Sequence, residues 1–130
     1  MLKKIMISLT GFVLVSSVLH AGEVAIMAVD FQRAGGDWTV KVTLQHADTG
    51  WKHYADAWRV VDGNGKVLSV RTLYHPHVKE QPFSRSLANV MVPEKISRVY
   101  VEAHDKKHGW SKDRVMVDLT KHSGKRFTVR

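Results

Sequence analysis

Hydrophobic and polar positions alternate with the two-residue period of a β-strand along nearly the whole chain after residue 22. The clearest run is Trp38 to His46, where Trp38, Val40, Val42 and Leu44 share one face and Thr39, Lys41, Thr43 and Gln45 the other. His46 continues the apolar phase. Comparable runs at Glu23 to Phe31, Asp56 to Val61, Lys66 to Tyr74, Ser84 to Val92, Ser97 to His104 and Arg114 to Leu119 bring the expected strands to seven. Glycine, proline and short polar residues separate several of them, at Arg33-Ala34-Gly35-Gly36-Asp37, Asp62-Gly63-Asn64-Gly65 and Pro93-Glu94-Lys95. No stretch reads as a long amphipathic helix. The pattern predicts an all-β chain, a seven-stranded β-sandwich of the immunoglobulin or fibronectin type, with a small closed barrel as the other layout.

The amino terminus breaks this pattern. Lys3 and Lys4 precede an uncharged apolar run from Ile5 to Leu19, followed by His20, Ala21 and Gly22. That is the layout of a secretory signal peptide, and the run is short for a membrane span, which takes about 20 apolar residues. Cleavage after Ala21 is the expected outcome, and an uncleaved anchor the other one. The expected organisation is a signal peptide over 1–21, a β-sandwich domain over 22–120 and a basic C-terminal tail over 121–130. The mature chain is then periplasmic or secreted, without a stable membrane span, and a monomer. The chain has no cysteine, so a cysteine-linked lipid anchor, disulfides and thiolate chemistry are not expected.

Charge adds one feature. The formal net charge is +8, and Lys121, Lys125, Arg126 and Arg130 all follow the last acidic residue, Asp118. The segment reads as a solvated tail able to meet an anionic envelope ligand. Nucleic acid is not an expected partner of an exported protein.

Histidine carries the candidate chemistry. Of eight, His20 lies in the leader and His122 in the tail. The other six form three pairs: His46 with His53, His75 with His77, and His104 with His108. In a sandwich whose sequential strands run antiparallel, odd and even connections emerge at opposite ends. The plain turns occupy connections one, three and five and the histidine pairs connections two, four and six, so all three pairs should meet at one end. Trp51, Tyr54, Trp58, Tyr74, Phe83 and Trp110 accompany them, and Asp48, Asp56, Glu80 and Asp105 supply carboxylates able to orient a ring or bind a metal. His75-Pro76-His77 presents two imidazoles on one side of a stiff extended segment. Lys106 and Lys107 stand between His104 and His108 and would repel a cation.

The segments His46-Ala47-Asp48-Thr49-Gly50-Trp51, His53-Tyr54-Ala55-Asp56, Leu73-Tyr74-His75-Pro76-His77-Val78-Lys79-Glu80-Gln81-Pro82-Phe83 and Glu102-Ala103-His104-Asp105 with His108-Gly109-Trp110 resemble those of an uncharacterised family of small exported bacterial proteins. The resemblance covers most of the mature chain and implies export and a compact domain, without an activity. Lys52 departs from it, standing where an acidic residue is expected.

Three functions compete. Metal binding through His46, His53, His75, His77, His104 and His108 would favour copper or zinc, with nickel also possible for such donors, and would exclude a blue-copper centre, which needs a thiolate. It expects His46, His75, His77 and His104 within a few ångströms of one another. The second reading is a non-catalytic interaction module that holds an envelope protein or anionic ligand through the aromatic and basic loops. Catalysis ranks third, because no nucleophile or acid–base pair stands at a diagnostic spacing. A purely structural hydrogen-bonded network of the same residues fits all three backgrounds.

Overall fold

The computed structural model describes residues 22–130; the expected signal peptide over 1–21 lies outside the described residues. Nine strands follow in order: β1 (Ala25–Ala34), β2 (Asp37–Gln45), β3 (Ala55–Val61), β4 (Val67–Thr72), β5 (Phe83–Val90), β6 (Arg98–Asp105), β7 (Gly109–Asp118), β8 (Ser123–Gly124) and β9 (Phe127–Val129). They build two sheets, one ordered β5-β2-β1-β9-β8 and the other β4-β3-β6-β7. Among the described residues no helix is long and apolar enough to cross a membrane.

Each sheet buries one face, as the alternation requires. Trp38, Val40, Val42 and Leu44 of β2 meet Trp58 and Val60 of β3, Val99, Val101 and Ala103 of β6, and Val115 and Val117 of β7 in a single core cluster. In β1 the alternation is interrupted. Ile26 and Val29 are both buried although three residues apart, and the register shift between Ile26 and Ala28 explains it: a bulge inserts one residue and restores the inward phase at Val29 and Phe31.

The all-β sandwich agrees with the reading of the sequence, and each of the seven expected strands has a counterpart among β1 to β7. The strand count and the tail are corrected. Residues 121–130 do not form a solvated tail outside the sandwich. They supply β8 and β9, and β9 pairs parallel to β1, with Val29 opposite Phe127 and Phe31 opposite Val129. Two apolar side chains suffice because β1 offers an open edge whose backbone groups need partners. Phe127 and Val129 are 5% and 8% exposed, and Gly124 leaves space for the Phe127 ring, where a Cβ would crowd its edge. Arg126 is also no free surface charge. Its guanidinium donates to both carboxylate oxygens of Asp113, each at 3.0 Å, and to the Ile26 carbonyl at 2.8 Å.

Alternate connections emerge at opposite ends. The plain turns after β1, β3 and β5 occupy one end, and the histidine-bearing connections after β2, β4 and β6 the other, where backbone hydrogen bonds tie Lys106 to Tyr54 and Leu73 to Asp56.

Phe127→Ala should lower stability by about 3 kcal/mol, as for an aromatic removed from a packed core. Urea unfolding of the mature protein measures this. An unchanged midpoint would mean that β9 contributes nothing to the fold.

Candidate metal centre

The loop after β2 turns back on itself through Gly50 and His53, which form a short antiparallel bridge. This places Asp48 under the loop, with its side chain fully shielded from solvent. Its Oδ1 accepts the backbone N–H of Ala55 at 3.0 Å, and its Oδ2 accepts the backbone N–H of His77 at 2.7 Å. One carboxylate therefore joins the β2–β3 loop, the start of β3 and the β4–β5 loop. Oδ1 also meets Nδ1 of His46 at 2.5 Å.

His46 is 3% exposed, in keeping with the inward phase of β2. Its Nε2 lies 2.7 Å from the carbonyl oxygen of Gly22, which can only accept, so Nε2 carries a proton. Its Nδ1 faces Asp48, so both ring nitrogens have a hydrogen-bond partner. The residue is held from both sides, which fixes the orientation of its ring.

His53 packs edge-on to His46, with ring centroids 4.8 Å apart, and lies 5.1 Å from His108 on its other side. Its Nε2 is buried, has no hydrogen-bond partner and stands 3.3 Å from Oδ1 of Asp105. Asp105 closes the tight β6–β7 turn by accepting the backbone N–H groups of Lys107 at 2.9 Å and His108 at 2.8 Å, and it meets Nδ1 of His108 at 3.0 Å. Burial pushes the Asp105 carboxyl up, but these hydrogen bonds and the neighbouring His108 outweigh it and hold the group below the ordinary carboxylate value. Asp105 is thus an ionised carboxylate at 1% exposure. His46, His53 and Asp105 each present one donor atom, and all three atoms lie within 4.8 Å of one another.

His77 borders the same carboxylate as His46, with its Nδ1 3.8 Å from Asp48 Oδ2, and His75 lies beside it, but the expected convergence of His46, His75, His77 and His104 on one point is corrected: the donor atoms that approach one another are those of His46, His53 and Asp105. His77 stacks on Phe83, with centroids 3.9 Å apart and planes 11° from parallel. Its Nε2 faces a guanidinium nitrogen of Arg85 at 2.8 Å. A guanidinium only donates, so Nε2 accepts and the ring proton sits on Nδ1. The His75 ring lies 4.5 Å from that of His77, as the His-Pro-His spacing suggests, but Arg85 already occupies the position beside Nε2. Burial first, then the charges of Arg85 and His75, hold the His77 imidazole below the ordinary value of 6.5, against the opposite pull of Asp48 and Glu80. His104 projects on the outward phase of β6 and meets Asp56 through Nδ1 at 2.5 Å, with Trp110 against its ring.

Lys106 and Lys107 do not stand in the cluster. Both are exposed, and the Lys106 ammonium lies 5.2 Å over the Tyr54 ring. Sequence reasoning missed Arg85 and Gly22. The first is two residues beyond Phe83 and so on its face of β5, a signal available in the strand period; the second carries no signal as an isolated glycine.

No family model matches the chain. It is 38% identical over 104 residues to a protein of Halomicrobium mukohataei that bears the name "Putative lipoprotein", a match taking in 79% of this chain and 51% of the relative. The chain therefore spans about half the length of that curated relative. Among solved structures, the superoxide reductase (1Fe-SOR) of Giardia intestinalis is similar with a TM-score of 0.43 and 18% identity, over 72% of this chain and 98% of that one.

Two outcomes follow for the site's framework. Asp48→Asn should cost about 3 kcal/mol in urea unfolding, since it sets an amide N–H₂ against donors that a buried carboxylate satisfies; a loss under about 1 kcal/mol would remove Asp48 as the clasp. For His77 the folded value lies below the unfolded one, so its contribution is complete above about pH 6.5 and is lost as pH falls below it, where the unfolded chain takes up the proton first. His77→Gln should accordingly show a smaller loss of stability than the parent on going from neutral to mildly acidic buffer, and identical pH curves would refute the assignment.

Proposed function

We propose that this protein is an exported β-sandwich that binds one divalent transition-metal ion, copper or zinc, through His46, His53 and Asp105, with His108 beside them. The observation that carries the reading is the close approach of three donor atoms, two from the β2–β3 connection and one from the end of β6, one of them a buried imidazole nitrogen without a partner. Imidazole with carboxylate suits zinc and copper(II). Binding through Nε2 of His46 would replace the proton now given to Gly22, while Nδ1–H remains directed at Asp48. A carboxylate behind a ligating histidine is the usual means of fixing its tautomer and raising its basicity. Asp105 would offset the incoming positive charge. The signal-like leader, and the name carried by the relative from Halomicrobium mukohataei, support a place in the cell envelope.

A second reading is an interaction face for an envelope partner. It is favoured by Trp51 and Tyr74, which are 65% and 73% exposed on the histidine-bearing loops, since exposed aromatics are enriched where partners bind. Under that reading, loss of Trp51 would impair capture of the partner and removal of metal would not.

Elemental analysis of the untagged mature protein separates them. The expected result is near-stoichiometric copper or zinc, lost in His53→Ala and kept in His75→Ala. A protein that is isolated without metal and takes up neither ion at micromolar concentration would sink the metal reading.

A further inference from the structure

Gly22 stands directly against the cluster. Its carbonyl holds His46 Nε2 at 2.7 Å, and a Cβ at this position would come within 2.6 Å of Cε1 and 3.3 Å of Nε2 of His108. That contact argues for glycine here, because any side chain would drive the His108 ring away from its place beside His53. The Gly22 nitrogen belongs to the same residue as that carbonyl and is three bonds along the backbone from the oxygen that meets His46 Nε2.

The cut expected after Ala21 falls on the peptide bond to this nitrogen. Before cleavage the nitrogen is an amide, whose lone pair is delocalised and which is a poor ligand. Hydrolysis converts it to an α-amine whose ordinary pKa is about 8, so a metal ion readily displaces its proton. A free N-terminal glycine then offers its amine nitrogen and its carbonyl oxygen as a chelate, on the oxygen that already faces His46.

We propose that signal-peptide removal completes the metal centre: the α-amine of Gly22 joins His46, His53 and Asp105 as a ligand, and the resulting nitrogen-rich set selects copper(II). The inference rests on the metal reading given above and adds to it both the fourth ligand and the identity of the ion. Copper(II) is favoured over zinc by a set of amine and imidazole nitrogens with carboxylate, which suits its tetragonal geometry and its place at the top of the divalent affinity order. One consequence is that the precursor, still carrying its leader, lacks the amine and does not form the complete site. Loading is thereby confined to the far side of the membrane.

The test compares two proteins: the mature chain beginning at Gly22, recovered from the exported fraction, and the same chain with one serine added before Gly22. The extension leaves every side chain in place and moves only the amine. Titration with copper(II) should give a dissociation constant at least about tenfold weaker for the extended protein. Its electron paramagnetic resonance spectrum should lose the coupling to a glycine nitrogen that selective isotopic labelling reveals in the authentic chain. Equal affinities and identical spectra, with binding still abolished by His53→Ala, would overturn the amine ligand and leave the histidine site standing. A mature terminus found by mass spectrometry at another residue would also overturn it. Uptake of neither copper nor zinc by either protein would remove both readings together, and uptake of zinc alone would overturn the copper selection and leave the histidine site standing.

Discussion

The end of the sandwich that bears the histidines is organised by one buried carboxylate. Asp48 has no contact with solvent, so its charge must be met by the protein, and the donors available are the backbone N–H groups of Ala55 and His77 and the imidazole of His46. These belong to the first residue of β3, the β4–β5 loop and the end of β2. An ion buried in this way is stable only when every lone pair facing the interior has a partner. The requirement fixes the distance between two loops that have no strand pairing with each other, and it fixes the rotation of the His46 ring. Everything proposed for the site depends on that rotation, because it sets Nδ1 against Asp48 and Nε2 against the carbonyl of Gly22.

A second carboxylate repeats the arrangement on a smaller scale. Asp105 takes two backbone N–H groups of its own turn and the Nδ1 of His108 on a single oxygen. The tight turn thereby presents an ionised group at the wall of the cluster rather than to solvent. His53 lies between the two anchored imidazoles with its buried nitrogen unmatched. A buried polar atom without a partner costs free energy unless something else meets it. In this cluster that atom faces a carboxylate and two histidines, which is the donor set a metal ion would complete.

Much of this arrangement could be read in the alternation of the strands. Counting strands placed the three histidine-bearing loops at one end, and that requires only that consecutive strands run antiparallel, which β1 to β7 satisfy across both sheets. His46 was legible as an inward residue from its phase with Leu44 and Val42. The division of the six histidines into separate groups was not. It depends on Arg85, which reaches from β5 to His77, and on the outward phase of His104, which pairs it with Asp56 on β3. Such contacts span neighbouring strands whose register no local pattern specifies. The C-terminal strand was missed for a related reason. Phe127 and Val129 are too few to mark a strand by themselves, and their significance comes from the open edge of β1 nearly a hundred residues earlier.

His46 and His77 show how little residue type decides at such a site. Both are buried, both border Asp48, and each is held by a partner at hydrogen-bonding distance. Yet His46 faces a carbonyl at Nε2 and a carboxylate at Nδ1, whereas His77 faces a donor at Nε2 and must offer a lone pair there. Arg85 already takes that lone pair and brings a positive charge with it, so a second cation would have to displace the guanidinium from its place against the ring. At His46 the partner to be displaced is a neutral carbonyl, and carboxylates lie on two sides. The cost of admitting a divalent ion is therefore lower at the cluster of His46, His53 and Asp105 than at the His75-Pro76-His77 segment, although that segment has the more suggestive spacing in the sequence. On the metal reading proposed above, the charge of the neighbours, rather than the density of imidazoles, would select the place where an ion enters.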